Sequence, residues 1–169
     1  LPLGNDHILF IVGLYLFCPK LSVLVLQVSI FTLSHSISLV LAVLGFINLP
    51  SFVIEPFIAA SIIYVGLENY FFTEKKSYRG ILIFAFGILH GLGFASILTS
   101  FKLSSSGIFL PLLGFNIGVE IGQILVLILC FFAFGYWFKE KIWYRARVVK
   151  PLSVILMLTG SFWLISRII

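Results

Sequence analysis

Long apolar stretches separated by short polar links dominate the chain. Six of them are evident, at residues 4–18, 21–46, 52–72, 80–100, 109–138 and 149–168. Most are close to the roughly 20 residues with which an α-helix crosses the hydrocarbon core of a bilayer. Because lipid cannot satisfy backbone polar groups, such stretches predict membrane-spanning helices. We therefore expect an all-α, polytopic transmembrane helix bundle of about six helices, forming a single domain over residues 1–169.

The composition agrees with this expectation. Of the 169 residues, 61% are hydrophobic and only 10% are charged, and the mean hydropathy is +1.20, which excludes a water-soluble domain of this size. Cys18 and Cys130 have no CxxC spacing, so we expect neither a disulfide framework nor a thiolate metal site. The chain starts at Leu1, and its first apolar stretch is short for a span, so we expect that an N-terminal segment is missing or has been processed.

The basic residues of the links predict an orientation. Alternate links must lie on opposite sides of the membrane, and the eleven basic residues divide nine to two between those sides. The nine are Lys20, Lys75, Lys76, Arg79, Lys139, Lys141, Arg145, Arg147 and Lys150, and the two are Lys102 and Arg167. By the positive-inside rule the first group is cytoplasmic and both termini lie outside the cytoplasm. This placement gives the net charge of +5 a role in topology, and we expect no nucleic acid as a partner.

Ionisable and amide side chains recur near the middle of the predicted spans. His35 lies in the second, His90 among glycines in the fourth, and Asn116 and Glu120 one turn apart in the fifth. A charged group at mid-bilayer costs about 2.5 to 3.5 kcal/mol on insertion scales. We therefore expect these four residues to form a central site; the alternative is that they are satisfied by local hydrogen bonds. The glycines Gly114, Gly118 and Gly122 lie on the opposite face of the fifth helix, where we expect close packing on a neighbour.

Further polar residues are predicted nearer the two surfaces. Asp6, His7 and Glu55 are expected at the outer mouth, although Glu55 also fits an ordinary helix start before Pro56. Glu68 and Asn69 are expected toward the cytoplasm as an inner exit site. The alternative is that Glu68 pairs with Lys75 or Arg79.

Histidines combined with carboxylates suit nickel, cobalt, zinc or iron better than copper(I), which prefers sulfur ligands. Met157 is the single methionine. The chain has no Gly-rich nucleotide loop of the Walker type, so ATP is not expected as its energy source. Two other interpretations use the same residues. One is a metal-dependent membrane enzyme, although no nucleophile motif supports it and we do not expect an enzyme. The other is a haem-binding or assembly subunit with His35 and His90 as axial ligands.

Five motifs in order resemble those of the HupE/UreJ family. They are Gly-Asn-Asp-His at 4–7, Thr-Leu-Ser-His-Ser at 32–36, Glu55 with Glu68-Asn69, Leu-His-Gly-Leu-Gly-Phe-Ala at 89–95, and Phe-Asn-Ile-Gly-Val-Glu at 115–120. That family comprises small bacterial membrane proteins associated with hydrogenase and urease systems and regarded as nickel or cobalt permeases. In it a histidine commonly precedes the first motif, where this chain has Leu1-Pro2-Leu3.

The resemblance implies a function and a location. It implies a permease or binding protein for a divalent transition metal, nickel first and cobalt next, which is taken from the outer side through a central His/Glu/Asn site. Asp6, His7, His35, His90 and Glu120 match its polar motif positions. The implied location is the bacterial inner membrane, with the lipid bilayer, the metal ion and a homo-oligomer or larger membrane assembly as partners.

Overall fold

The chain folds into helices throughout the part that a computed structural model describes, which is residues 4–73, 78–100 and 109–169 without the side chains of 96–100 and 109. The helices are α1 (Asn5–Phe17), α2 (Leu21–Val43), α3 (Ser51–Phe71), α4 (Arg79–Ser100), α5 (Phe109–Cys130), α6 (Tyr136–Phe138) and α7 (Lys150–Ile168). A π-helical turn, Phe131–Gly135, joins α5 to α6, and a second, Arg145–Val149, leads into α7. No strand occurs in these ranges, which confirms the predicted all-α bundle.

Four helical segments of the described part are long and apolar enough to cross a membrane: Leu21–Val43, Ser51–Phe71, Leu110–Phe138 and Arg145–Ile168. The shorter apolar helices are Asn5–Phe17 and Arg79–Ala95. The protein is therefore a polytopic membrane protein, with helices where the apolar stretches predicted them. At 1.5 Å per residue, the 13 residues of α1 are only about 20 Å long, which is less than the thickness of a hydrocarbon core.

Glycines allow α4 to approach α2 at backbone distance. A Cβ atom on Gly87 would collide with the Ser34 side chain, and one on Gly91 would collide with the carbonyl oxygen of His35. Small residues at a helix interface permit such close packing inside membranes. Because His90 lies between these two glycines in sequence, this contact holds it at the level of the middle of α2.

A second close contact joins α3 to α7. A Cβ on Gly66 would lie 3.0 Å from the Ser153 carbonyl oxygen, and one on Gly160 would lie 3.1 Å from the Ala59 carbonyl oxygen. The helix α1 packs between this pair and α5. Its Gly13 faces Val65 of α3, so α1 is enclosed, and Phe10, Ile11 and Leu14 are completely buried.

The helix α5 is the least enclosed of the long helices, because only 17% of its span is buried, against 50% for α2. The expectation that Gly114, Gly118 and Gly122 pack closely on a neighbouring helix is wrong for the described chain. Nothing lies within 4 Å of a Cβ built on any of them. The physical reason is that α5 meets the bundle through another side, on which Gln123 and Leu127 are buried.

Candidate metal centre

All three histidines of the chain meet in one buried cluster together with Asp6. Asp6 and His7 come from the first turn of α1, His35 from the middle of α2 and His90 from the middle of α4. Their exposed fractions are 1%, 7%, 0% and 0%. We call these four residues the histidine cluster.

His7 lies at the centre of the histidine cluster. Its Nδ1 is 3.3 Å from Asp6 Oδ1, and its Nε2 is 3.4 Å from His35 Nδ1. The His7 ring centroid lies 4.8 Å from that of His90 and 5.1 Å from that of His35. One potential ligand atom from each of Asp6, His7 and His90 lies within 4.8 Å of the other two, which is a spacing that a small movement can close around one ion.

Hydrogen bonds fix which nitrogen atoms are available. His90 Nδ1 lies 2.7 Å from the Phe86 carbonyl oxygen, which can only accept, so Nδ1 carries the hydrogen and Nε2 has a free lone pair. When the imidazoles are neutral, the chain from Asp6 through His7 likewise places a hydrogen on His35 Nδ1. His35 Nε2, His90 Nε2 and Asp6 Oδ2 are all buried without a hydrogen-bond partner.

Unpartnered buried polar atoms are costly, at about 1 to 3 kcal/mol each, and three of them lie in this one cluster. Orientation of a ligating histidine by a hydrogen bond from its other nitrogen is the usual arrangement at protein metal sites. The cluster therefore has the donor atoms, the orientation and the unsatisfied capacity of a cation site.

Aromatic rings enclose the histidine cluster. The rings of Phe31 and Phe94 lie with their centroids 5.6 and 4.9 Å from that of His7, and Phe10 lies 5.2 Å from His90. Beside them, a cavity of about 500 Å³ separates α1 from α5 and is lined by His7, Gln123 and mainly apolar side chains. These mainly apolar surroundings strengthen the attraction between Asp6 and a bound cation relative to bulk water.

Asp6 and His7 were expected at the outer mouth, apart from the central residues, and that separation is wrong. They contact His35 and His90 because α1 is short and its first turn lies level with the middle of α2 and α4. The sequence contained this signal in the brevity of its first apolar stretch, which we interpreted as a truncated span.

Glu120 does not join the histidine cluster, against the expectation of one central site. Its side chain is exposed on α5, because α5 turns Gln123 toward the bundle, where Thr32 Oγ1 lies 2.7 Å from Gln123 Oε1. Asn116 is engaged by one hydrogen bond from α2 and one within α5. Its Oδ1 accepts a 2.8 Å hydrogen bond from Ser36, and its Nδ2 donates to the Leu112 carbonyl.

Glu55 also lies apart from the histidine cluster. Its carboxylate is 3.2 Å from Arg167 Nε, and Arg167 Nη1 donates to the Glu55 backbone carbonyl at 3.1 Å. The close packing of α3 on α7 produces this ion pair, since it places the last turn of α7 beside the first turns of α3. Glu55 is therefore not grouped with Asp6 and His7 as an outer entry site.

Glu68 and Asn69 are buried and engaged. Arg79 Nη1 donates to Glu68 Oε2, and Asn69 Nδ2 donates to the Gly13 carbonyl oxygen at 2.8 Å. The alternative that we gave for Glu68, an ion pair with Arg79, is the arrangement found. Lys75, the other candidate partner, lies outside the described residues. The burial of Arg79, which is 1% exposed, was not anticipated, because its place in a link suggested a position at the membrane surface.

Comparison with known families gives one match. A family model described as HupE / UreJ protein matches residues 1–167, which is nearly the whole chain. Among curated proteins and solved structures, none matches significantly.

Proposed function

Because the chain belongs to the HupE/UreJ protein family, we propose that it binds a divalent transition metal ion in the histidine cluster and carries it across the membrane. Nickel is the first candidate and cobalt the second. The observation that carries this proposal is the convergence of all three histidines and one carboxylate, buried, with three donor atoms unpartnered. The metal is the cargo, and the cluster is its binding site.

The donor set supports a transition metal in particular. Imidazole nitrogen suits nickel, cobalt, zinc and iron, whereas magnesium and calcium prefer oxygen ligands and copper(I) prefers sulfur. Cys130 is buried but belongs to an apolar cluster with Leu14 and Tyr15, so no thiolate takes part. Asp6 supplies one negative charge, which leaves a dication only partly neutralised and favours reversible binding.

We assign Asp6, His7 and His90 as the ligands, with His35 beside them as a further donor. Metal–nitrogen bonds measure about 2.0 to 2.1 Å for zinc, so an ion of this size would draw the three side chains closer than the 4.8 Å within which their ligand atoms now lie. His7 would exchange its contact with His35 for the metal. His35 would then either bind the ion as a fourth ligand or remain beside it, with its Nε2 available to accept a hydrogen bond.

The charge distribution supports an orientation in the membrane. Nine of the eleven basic residues belong to the links on one side, which supports a cytoplasmic position for that side and both termini outside the cytoplasm. With this orientation, the transport that we propose is uptake from the outer side into the cytoplasm. We place the protein in a bacterial inner membrane. With no nucleotide-binding motif in the sequence, the membrane potential or an ion gradient would drive the transport.

The proposal is tested by metal analysis of the purified protein. After loading with nickel and desalting, we expect about one nickel ion per chain by elemental analysis, and loss of most of it in His90→Ala. Glu55→Gln is the matched control, because it removes a membrane carboxylate that lies outside the histidine cluster. Absence of bound nickel, cobalt and zinc from the wild-type protein would refute the proposal.

A further inference from the structure

A second group of buried polar residues lies at the other end of α1. Glu68 and Asn69 on α3 and Arg79 at the start of α4 are 4%, 0% and 1% exposed. We call these three residues the inner layer. By the charge distribution they lie on the cytoplasmic side of the histidine cluster.

Arg79 is incompletely satisfied. A guanidinium has five N–H donors, but only Nη1 pairs with Glu68, while Nε and Nη2 are buried without a partner. Its charge also lies 3.8 Å above the centre of the Phe17 ring. Arg–carboxylate pairs in proteins are frequently bidentate, with the fork of donors on both carboxylate oxygens, whereas this pair has one contact. Arg79 is therefore held in place by few bonds.

The inner layer also contains free acceptor atoms. Glu68 Oε1 and Asn69 Oδ1 are both buried without a partner. The hydrogen bond from Asn69 Nδ2 to the Gly13 carbonyl oxygen fixes the orientation of the amide, so Oδ1 is the amide atom that has no partner. Carboxylate and amide oxygens are both donor types that divalent cations accept in proteins.

Aromatic and aliphatic side chains separate the inner layer from the histidine cluster. The Phe10 ring stacks on Phe31 at 4.9 Å and meets Phe86 edge-on at 5.7 Å. Beyond them Leu14 and Ile83 are 0% and 2% exposed. An ion that leaves the histidines toward the cytoplasm along α1 must pass this barrier and then meets the inner layer.

We propose that the inner layer is a second, release-side site for the same divalent cation, in which the Arg79 guanidinium takes the place of the ion while the site is empty. This inference rests on the proposed function. Glu68 needs a positive partner at all times, because an unpaired buried charge is strongly destabilising. An arriving cation supplies that partner through Glu68 and Asn69, while the guanidinium of Arg79, the first residue of α4, moves to the aqueous cytoplasmic surface, where its charge needs no partner. The return of Arg79 to the carboxylate then expels the ion.

A purely structural ion pair makes the opposite prediction. Replacing a buried ion pair by uncharged residues of similar size is often neutral for stability. A neutral pair at positions 68 and 79 would then leave transport unchanged. Under our proposal the same pair removes both the carboxylate that receives the ion and the guanidinium that releases it.

The experiment compares wild type with Glu68→Gln, Arg79→Gln and the double variant, with Glu140→Gln as a control for an exposed acid of the inner links. Nickel chloride is titrated into each purified protein, and nickel uptake is measured in proteoliposomes. We expect every variant to bind one equivalent of nickel tightly in the histidine cluster. We expect wild type to bind a second equivalent more weakly. Binding of this second equivalent should be lost in Glu68→Gln, and its affinity should be at least tenfold higher in Arg79→Gln.

In proteoliposomes we expect the double variant to lose at least nine-tenths of the uptake rate while keeping the tight equivalent. An uptake rate of the double variant equal to that of wild type would overturn the proposed inner site. An unchanged affinity of the second nickel equivalent in Arg79→Gln would overturn it as well. If Arg79→Gln does not fold, the double variant alone decides. Absence of the tight equivalent from wild type would instead refute the proposed function, so the two failures are distinguishable.

Discussion

Asp6 has two distinct interactions available within the histidine cluster. Its Oδ1 contacts His7 Nδ1, while its Oδ2 has no partner. The first orients a histidine and the second is a free ligand atom. Only the second requires the negative charge, so the two interactions can be separated by an isosteric substitution.

Asp6→Asn should therefore weaken nickel binding by at least about 10-fold, because the loss of groups that only support metal ligands already costs about 10- to 100-fold. The amide oxygen can still accept from His7, so the fold should be kept. Calorimetric titration measures the effect, with Glu55→Gln as the control that loses a charge elsewhere. Equal affinities for Asp6→Asn and wild type would show that Asp6 does not ligate the metal.

At the scale of helices, the contact between α2 and α4 positions His35 and His90. The glycines around His90 could be recognised in the sequence as a surface for close approach, and Gly87 and Gly91 serve in this way. The depth of each residue in the membrane was harder to predict. Depth was counted from the ends of the apolar stretches. This failed for His7 because we interpreted the short first stretch as a truncated span, whereas α1 is a helix of only 13 residues.

Gly91→Ala should destabilise the protein by about 1 to 3 kcal/mol, as overpacking of a tight contact usually does. The added methyl group would collide with the His35 backbone carbonyl and the Ser38 side chain. Gly114→Ala is the control, since a Cβ there meets nothing within 4 Å. Thermal unfolding in detergent compares the two; a midpoint for Gly91→Ala as high as that of Gly114→Ala would contradict the close packing.

For the whole molecule, the helix count and the bundle class could be predicted because lipid permits few backbone solutions. The grouping of polar residues could be predicted only in part. His35 and His90 were assigned to one site from shared depth, and both contact His7 in the histidine cluster. Glu120 was assigned to it by the same reasoning, but depth does not specify which way a helix faces, and α5 directs Gln123 inward instead.

The orientation in the membrane is tested by cysteine labelling. In a Cys18→Ser background, Asn48→Cys should react with an impermeant maleimide added to intact cells, whereas Lys141→Cys should react only after permeabilisation. Both positions are exposed on the described chain and lie in links on opposite sides. Ser77 and Ser105, which the sequence also suggested for this purpose, lie outside the described residues. The reverse labelling pattern would contradict the proposed orientation.

The central claim is that a divalent metal binds to the buried histidines. X-ray absorption at the nickel edge of the nickel-loaded protein tests it most directly, because it reports the ligand atoms themselves. We predict a first shell of nitrogen and oxygen with the scattering pattern of at least two imidazole rings, which is diminished in His90→Ala and unchanged in Glu55→Gln. A first shell that contains sulfur, or one without imidazole scattering, would contradict the claim.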